Sequence, residues 1–511
     1  MIETSLQQES SFDVVIKPEQ HYAAIDLGSN SFHLAIAEYD GHAFRVIGRI
    51  KEKVQLASGL DRNDYLCKAA MQRGWDCLTM FAERIKDIPL SHITIVATYT
   101  LRKAKNAQQF VSKAEKILKH QIDILPGTEE ARLIYDGVSH NHPDIGRALV
   151  IDIGGGSTEI ILGDKFDPIV MDSLSIGCVT FSRFFKDGII NEKNFNKVVV
   201  NAAIQISPVE QKYMASHWQH CLGSSGSIEA IYQVLSAMGY DEGYITKPHL
   251  ELLKHNLFSL GHIDNVCLPG LSASRSNTFA TGLAIVYALF EELNIEKMYI
   301  ANGSLREGIL LELAEELKGN DIRWKTVVSL VNRFQLDYKY ALEVKTTAQH
   351  IFEQTADIWG INDSIFKNYL EWACLLHEIG LSISFSKLKY HSAYIVEYAD
   401  MPGFSQQTKA SLAAIVANQR KKPLLDLFKN KYDDGNGLLA VAQILRLAIL
   451  FNIKRDNQDI TELSFKASPY NKMNITVPQD WANHHQLIIA ELEKEKKYLA
   501  PYNIELEYIL C

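Results

Sequence analysis

Two kinds of hydrophobic pattern alternate along the chain up to about residue 318. Short apolar runs, such as those at 23–27 and 149–153, are bounded by Asp, Gly and Ser and are typical of buried strands. Longer stretches, such as 68–85 and 106–120, carry apolar residues at helical spacing. Strands that alternate with helices predict an α/β fold for this part of the chain.

One strand–turn–strand unit occurs twice in this region. The segments AAIDLGSNSFHLAIAEYDG and LVIDIGGGSTEIILGDKFD both consist of an apolar strand, the pattern D-x-G-x-x-S, a second apolar strand and an Asp/Gly turn. The aligned pairs are Asp26 with Asp152, Gly28 with Gly154, and Ser31 with Ser157, at a constant offset of 126 (152 − 26). The duplication predicts two α/β lobes whose Asp–Gly turns face each other across a cleft.

The chemistry of the two turns favours an oxygen-rich anion. Glycines let consecutive backbone N–H groups converge on such a ligand, and the neighbouring Ser, Thr and Asn side chains add donors. Asp152 and Glu159 would repel a bare phosphate, so they indicate a hard cation such as Mg²⁺ between carboxylate and phosphate oxygens. A single glycine-rich turn is equally typical of a tight hairpin, but two copies with the same spacing favour a phosphate site. The pattern GxxxxGK[ST] is absent, which argues against a P-loop NTPase.

A third segment, ILPGTEEARLIYDGV at 124–138, places Glu129 and Glu130 at the predicted start of a helix. Acidic side chains there commonly stabilise the helix dipole by a few tenths of a kcal/mol, roughly. The residues alone therefore do not require a catalytic role for either glutamate.

After about residue 318 the pattern becomes helical, without alternating strands, and predicts a separate all-α domain. The last segment returns to strands around a charged helix. The predicted division is a flexible tail (1–20), lobe I (21–137), lobe II (138–317), a helical domain (318–457) and a small α+β domain (458–511).

Composition narrows the class of protein. The net charge of −9 argues against long-range attraction to DNA or an anionic membrane, so a polyanion would have to be bound at a local site. Seven cysteines without a CxxC pair argue against a disulfide framework or zinc ribbon. The N-terminus lacks the pattern of a signal peptide, and no apolar run is long enough to span a bilayer. We expect a soluble, cytoplasmic protein with no DNA or membrane partner.

Seven motifs occur in order along the chain: YAAIDLGSNSFHLAIAE, VATYTLRKAKN, GTEEARLIYDGV, VIDIGGGSTEI, IGCVTF, LGSSGSIEAI and GSLREGIL. In this order and spacing they resemble the exopolyphosphatase / guanosine pentaphosphate phosphohydrolase (Ppx/GppA) family. The resemblance is continuous over about 20–315 and weaker towards the C-terminus. It implies the actin-like, ribonuclease H-like fold for the two lobes, a helical domain similar to HD-type phosphohydrolases, and a homodimer.

The resemblance also implies site residues. Glu130 matches the catalytic carboxylate that activates the attacking water, and Asp152 and Glu159 match residues associated with Mg²⁺. The implied phosphate-binding residues are Gly28, Ser29, Asn30, Ser31, Arg102, Gly154, Gly155, Gly156, Ser157, Thr158 and Arg306. The segment implied to lie near a base or ribose is Gly223, Ser224, Ser225, Gly226 and Ser227.

The substrate that the resemblance implies is pppGpp, inorganic polyphosphate, or both. Segments such as RIKEKVQLASGL and LAIVYALFEELNI resemble the pppGpp-cleaving branch. The triple glycine that includes Gly156 resembles the polyphosphate-cleaving branch instead. We expect removal of the 5′ terminal phosphate of pppGpp to give ppGpp, with overlapping exopolyphosphatase activity. A small-molecule kinase and a non-catalytic nucleotide sensor are the alternatives from other classes.

In the helical domain, LLHEIG at 375–380 resembles an HD motif, with Glu378 at the position of its metal-binding Asp. Asn418 and Gln419 stand where a histidine would help to bind metal, so we expect a vestigial site in which His377 is a packing residue or donor. The following basic residues, 420–422, could contact a polyanion, although a solvated loop is the simpler interpretation.

Overall fold

The computed structural model describes residues 21–39, 44–142, 145–317, 321–429, 435–455, 460–468 and 472–511. These residues form two compact units. The first combines residues from 1–122 and 130–318, and the second combines 123–129 with residues from 319–511. No helix in the described part of the chain has both the length and the apolar character that a membrane span needs. The predicted tail, 1–20, lies outside the described residues.

Lobe I is built on a sheet with the strand order β3-β2-β1-β4-β5. Its strands are β1 (His21–Leu27), β2 (Phe32–Tyr39), β3 (Phe44–Glu52), β4 (Ile93–Ala97) and β5 (Asp123–Ile124), and its helices are α1 (Lys68–Ile85), α2 (Tyr99–Lys103), α3 (Ala107–Leu118) and α4 (Gly127–Ser139). β1 and β2 form an antiparallel hairpin, and β1 pairs with β4 in parallel. Strand β4 ends at Ala97, and helix α2 follows and carries Arg102.

Lobe II repeats this arrangement in a sheet with the order β10-β11-β9-β6-β7-β8. Its strands are β6 (Arg147–Ile153), β7 (Thr158–Asp164), β8 (Asp167–Leu174), β9 (His220–Ser224), β10 (Tyr244–Thr246) and β11 (Lys297–Ile300), and its helices are α5 (Glu192–Ile206), α6 (Gly226–Ala237), α7 (Lys247–Leu260), α8 (Ser276–Glu292) and α9 (Leu305–Leu317). The order β8-β7-β6-β9 corresponds strand by strand to β3-β2-β1-β4, which confirms the duplicated α/β unit.

The second unit contains the remaining elements. Its helices are α10 (Ile322–Arg333), α11 (Tyr338–Trp359), α12 (Ser364–Leu376), α13 (Leu388–Tyr398), α14 (Gln406–Ala417), α15 (Gly435–Phe451), α16 (Gln479–His484) and α17 (Gln486–Leu499), and its strands are β12 (Ser464–Ser468), β13 (Lys472–Val477) and β14 (Glu505–Leu510). Side chains of Asp321, Asp337, Asp363 and Ser405 accept backbone N–H bonds at the starts of four helices. One cluster of buried apolar residues includes both helices and strands of this unit. The division into domains at 457/458 stays a prediction.

Candidate active site

The two Asp–Gly turns of the first unit line one cleft of about 360 Å³. The turns touch, because a Cβ atom added at Gly155 would lie 3.0 Å from the backbone nitrogen of Asn30. Each turn leaves the end of the central strand of its sheet, β1 or β6, and returns on the next strand. The duplicated hairpin therefore brings two glycine-containing turns to one place.

Most of the residues predicted for the site line this cleft. They are Gly28, Ser29, Asn30, Ser31, Glu130, Asp152, Gly154, Gly155, Gly156, Ser157, Gly223, Ser224, Ser225, Gly226 and Arg306. Thr158 and Ser227 do not line it; their hydroxyls donate to the backbone oxygens of Ile176 and Ile153, at 2.7 and 3.2 Å. Donation from either hydroxyl to a phosphate would require that bond to break, because a hydroxyl carries one hydrogen.

Glu130 is a buried carboxylate at the edge of the cleft. It lies in the first turns of α4, and Nη1 of Arg102 on α2 donates to its Oε2 at 2.9 Å. Burial raises the pKa of Glu130, and the charge and hydrogen bond of Arg102 oppose this shift. The raised pKa follows from the burial of the side chain, a property that the sequence alone does not reveal.

Two aspartates stand at corresponding positions of the duplicated strands. Burial raises the pKa of Asp26 to about 7, with Arg306 opposing the shift and Glu130 and Asp152 adding to it. Burial likewise raises the pKa of Asp152 to about 6, while a hydrogen bond from Ser224 lowers it. Oδ1 of Asp26 is buried without a hydrogen-bond partner in the described residues. Sequence reasoning did not assign Asp26 to the site, although its alignment with Asp152 was the available signal.

Glu159 is not among the residues that line the cleft. It is opposite Asp152 in the β6–β7 pair and is only 1% exposed. Its Oε1 accepts a hydrogen bond from Oγ of Ser173 at 2.7 Å. Burial raises its pKa well above the usual value, and the charges of Glu130 and Asp152 add to the shift. Glu159 is therefore electrostatically coupled to the cleft without lining it.

A group of basic side chains occupies another part of the cleft. Arg306, at the start of α9, contacts His33 on β2, and burial followed by the charge of Arg306 lowers the pKa of His33 to about 2. The members of the group other than Arg306 were missed from the sequence; they are His33, Arg49, Lys51 and Arg275. The charged residues Arg49 and Lys51, at alternate positions of β3, were a weak signal in the sequence. Nothing in the Ser-rich loop before α8 indicated Arg275.

We expect Asp26→Asn to stabilise the protein at pH 8 when a chelator is present. The usual aspartate pKa is about 3.9, whereas that of Asp26 in the folded protein is about 7. Between these values the folded state holds a proton that the unfolded state lacks, so stability falls as pH rises and the full cost is present above pH 7. The variant has no such cost, and its gain in unfolding free energy should be about 1–3 kcal/mol larger at pH 8 than at pH 5.

Chemical denaturation at the two pH values measures this difference. The exposed Asp87 provides a matched control, because Asp87→Asn should give the same small change at both. A gain for Asp26→Asn that does not depend on pH would contradict the burial of an ionisable carboxyl.

Comparison with known proteins adds independent information. A model of the Ppx/GppA phosphatase family matches residues 35–317, and a model of Ppx/GppA phosphatase, domain III, matches residues 322–496. A protein of Aeromonas hydrophila named guanosine-5′-triphosphate,3′-diphosphate pyrophosphatase is 40% identical over 93% of this chain and 96% of its own length. A Pseudoalteromonas translucida protein of the same name is 40% identical over 95% of this chain and 98% of its own.

Solved structures agree at the level of the fold. An exopolyphosphatase from Cytophaga hutchinsonii matches 58% of this chain and 98% of its own with a TM-score of 0.53 at 21% identity. An exopolyphosphatase-like protein matches 59% of this chain and all of its own with the same TM-score at 23% identity. Because the family models together span most of the chain and the relatives align over nearly their whole length, this protein belongs to the Ppx/GppA phosphatase family.

Proposed function

We propose that this protein is a phosphoanhydride hydrolase that removes the terminal 5′ phosphate of pppGpp, giving ppGpp and orthophosphate. The observation that carries the proposal is the pairing of buried Glu130 with Arg102 beside two duplicated glycine turns. The names of the relatives that align over 93% and 95% of the chain support pppGpp as substrate. We propose exopolyphosphatase activity as an overlapping reaction. The second candidate function is that of an enzyme whose main substrate is polyphosphate, and the triple glycine of 154–156 favours it.

The cleft offers two kinds of group that can bind a phosphate chain: hydrogen-bond donors and positively charged side chains. Backbone N–H groups of the two turns and the hydroxyls of Ser29, Ser31 and Ser157 line the cleft as potential donors. Arg306, Arg275, Arg49 and Lys51 supply positive charge for the phosphate oxygens, whereas His33, with its pKa lowered to about 2, is neutral. Positioning and charge stabilisation are the main requirements of phosphoryl transfer, because the terminal phosphoanhydride is already reactive once its charge is balanced.

Glu130 would act as the general base. Its carboxylate accepts a proton from a water molecule as the water oxygen forms a bond to the terminal phosphorus, and the bond from phosphorus to the bridging oxygen breaks. The electron pair of that bond remains on the shortened chain, and the phosphoryl group leaves as orthophosphate. Arg102 orients Glu130, and its charge and hydrogen bond oppose the effect of burial on the pKa of this carboxyl.

We propose Mg²⁺ as the cofactor, held by Asp26 and Asp152, with Glu159 as the further residue that the family resemblance implies. Oδ1 of Asp26, which is buried without a hydrogen-bond partner in the described residues, is a suitable oxygen ligand for such a cation. The described residues contain no group of three or more potential metal-ligating side chains. Mg²⁺ usually keeps several waters and is bound by one or two carboxylates together with phosphate oxygens. When bound, Mg²⁺ would neutralise charge on the phosphate oxygens.

Orthophosphate release from pppGpp, long-chain polyphosphate and ATP in the presence of Mg²⁺ tests the function. We expect kcat/KM to be highest for pppGpp, lower for polyphosphate and lowest for ATP. Release from none of the three would contradict a hydrolase and would favour a nucleotide sensor. A higher kcat/KM for polyphosphate would reverse the order of the two candidate substrates.

We also propose that the protein acts in the cytoplasm as a homodimer and that its HD-like region is vestigial. His377 is buried and its Nδ1 lies 2.8 Å from the backbone oxygen of Cys374, while Nε2 of Gln419 donates to the backbone oxygen of His377. Glu378 is paired with Arg455. These side chains are used for packing and for pairing within the unit, which supports a structural role.

A further inference from the structure

Helix α13 and the loop before it expose four large aromatic side chains. Phe385, Tyr390, Tyr394 and Tyr398 are 73%, 50%, 61% and 67% exposed. The tyrosines recur every fourth residue and therefore share one face of α13. Aromatic side chains of this size usually contribute to cores or interfaces, so a group of them at the surface indicates a binding site.

A basic loop follows α14 and is fixed from inside the unit. Nη1 and Nη2 of the buried Arg446 donate to the backbone oxygens of Asn418 and Lys421, each at 2.6 Å. Nζ of the buried Lys389 donates to the backbone oxygen of Lys422 at 2.6 Å. These bonds hold the loop by its carbonyl groups, and the side chains of Lys421 and Lys422 are exposed. The position of three consecutive cationic residues is therefore set before any ligand arrives.

The aromatic and basic groups adjoin each other. The guanidinium carbon of Arg420 lies 5.8 Å from the ring centre of Phe385. Nζ of Lys389 lies 5.2 Å from the ring centre of Tyr390, and the same nitrogen bonds the basic loop. These cationic groups lie at the Phe385 end of α13, whereas the exposed Glu397 lies beside Tyr398 at the other end.

We propose that Phe385, Tyr390, Arg420, Lys421 and Lys422 form an aromatic–basic surface that binds single-stranded nucleic acid. Cationic side chains on a fixed loop match the phosphates of a strand, and exposed rings provide faces on which unpaired bases stack. Inorganic polyphosphate would need the cations but not the rings. A protein partner or a second copy of this chain would use the rings but has no need of three adjacent cations. The presence of both exposed rings and adjacent cations therefore favours a ligand that carries both unpaired bases and phosphates.

Fluorescence anisotropy with the full-length protein tests the surface. The probes are a labelled 12-nucleotide single-stranded RNA, the DNA strand of the same sequence and the corresponding duplex. We expect both single strands to bind more tightly than the duplex. Loss of stacking should make Phe385→Ala/Tyr390→Ala bind at least about tenfold more weakly. Lys421→Ala/Lys422→Ala should weaken binding and reduce its salt dependence.

Matched controls come from elsewhere on the surface. Tyr65 is 50% exposed with Nζ of Lys105 at 5.8 Å from its ring and is not part of the aromatic–basic surface, so Tyr65→Ala should bind normally. Lys496→Ala/Lys497→Ala removes two exposed charges from α17 and should have little effect. Orthophosphate release should be unchanged in every variant, which separates this test from that of the proposed hydrolase.

Several results would overturn the proposal. One is the absence of single-strand binding. Another is loss of binding in Lys421→Ala/Lys422→Ala but not in Phe385→Ala/Tyr390→Ala, which would show that the surface attracts any polyanion. Unlabelled polyphosphate would then displace the labelled strand equally well from the wild-type protein and from the aromatic variant. A third is a change in oligomeric state on Phe385→Ala/Tyr390→Ala without a change in strand binding, which would assign the rings to self-association.

Discussion

Glu130→Gln is expected to lower kcat for orthophosphate release by about 100- to 10,000-fold, the usual contribution of a general base. Glutamine keeps the size of the side chain and can still accept from Arg102, but it cannot accept the proton of the attacking water. KM should change little, because the proposed contacts of the phosphate chain are with the turns and the basic side chains. Initial-rate kinetics with pppGpp and polyphosphate measure both parameters, and both substrates should lose activity in parallel.

Glu129→Gln is the matched control for this variant. Glu129 precedes Glu130 on α4 and is also buried, but it is not among the residues that line the cleft. It should retain activity within about tenfold of wild type, a margin well below the loss expected for a base. Full activity in Glu130→Gln, or an equal loss in both variants, would refute the assignment of the base. The comparison decides between two adjacent glutamates that only the family motif separates in the sequence.

The duplicated lobe and its turns were predictable because their signals are local. Each turn lies directly between two strands, and the constant spacing between the copies marks Asp26 and Asp152 as equivalent positions. The hairpins β1–β2 and β6–β7 then form by short-range pairing, in which register follows from the turn. This local pattern explains why so much of the glycine-containing wall of the cleft could be named from the sequence.

The basic part of the cleft could not be predicted in the same way. His33 and Lys51 are on strands of lobe I, whereas Arg275 and Arg306 come from lobe II, far along the chain. Only the tertiary fold brings them together, and none stands in a spacing that requires an anion. Burial is a further property that depends on the whole fold, which is why the raised pKa of Glu130 was not anticipated.

The second glycine turn, at 154–157, depends on a close contact that the motif IGCVTF provides. Backbone N–H groups of Cys178 and Val179 donate to the oxygens of Gly154 and Gly155, at 3.0 and 2.9 Å. This packing places the backbone of Gly177 directly over the turn. A Cβ atom at Gly177 would lie 2.3 Å from the oxygen of Gly155 and 2.4 Å from Cα of Gly156, and both neighbours are backbone atoms.

Gly177→Ala is therefore expected to displace the turn and to lower kcat/KM by about 100-fold, the cost of a misplacement of about 1 Å in a catalytic site. Overpacking should also reduce the free energy of unfolding by about 1–3 kcal/mol, which denaturation would measure beside the kinetics. Gly48→Ala on β3 is the control, because its added Cβ would meet only Cβ of Ile36, at 3.9 Å. It should leave both quantities near wild type. Normal kinetics in Gly177→Ala would mean that the position of this turn does not limit the reaction, since the added methyl group must move backbone atoms of the turn itself.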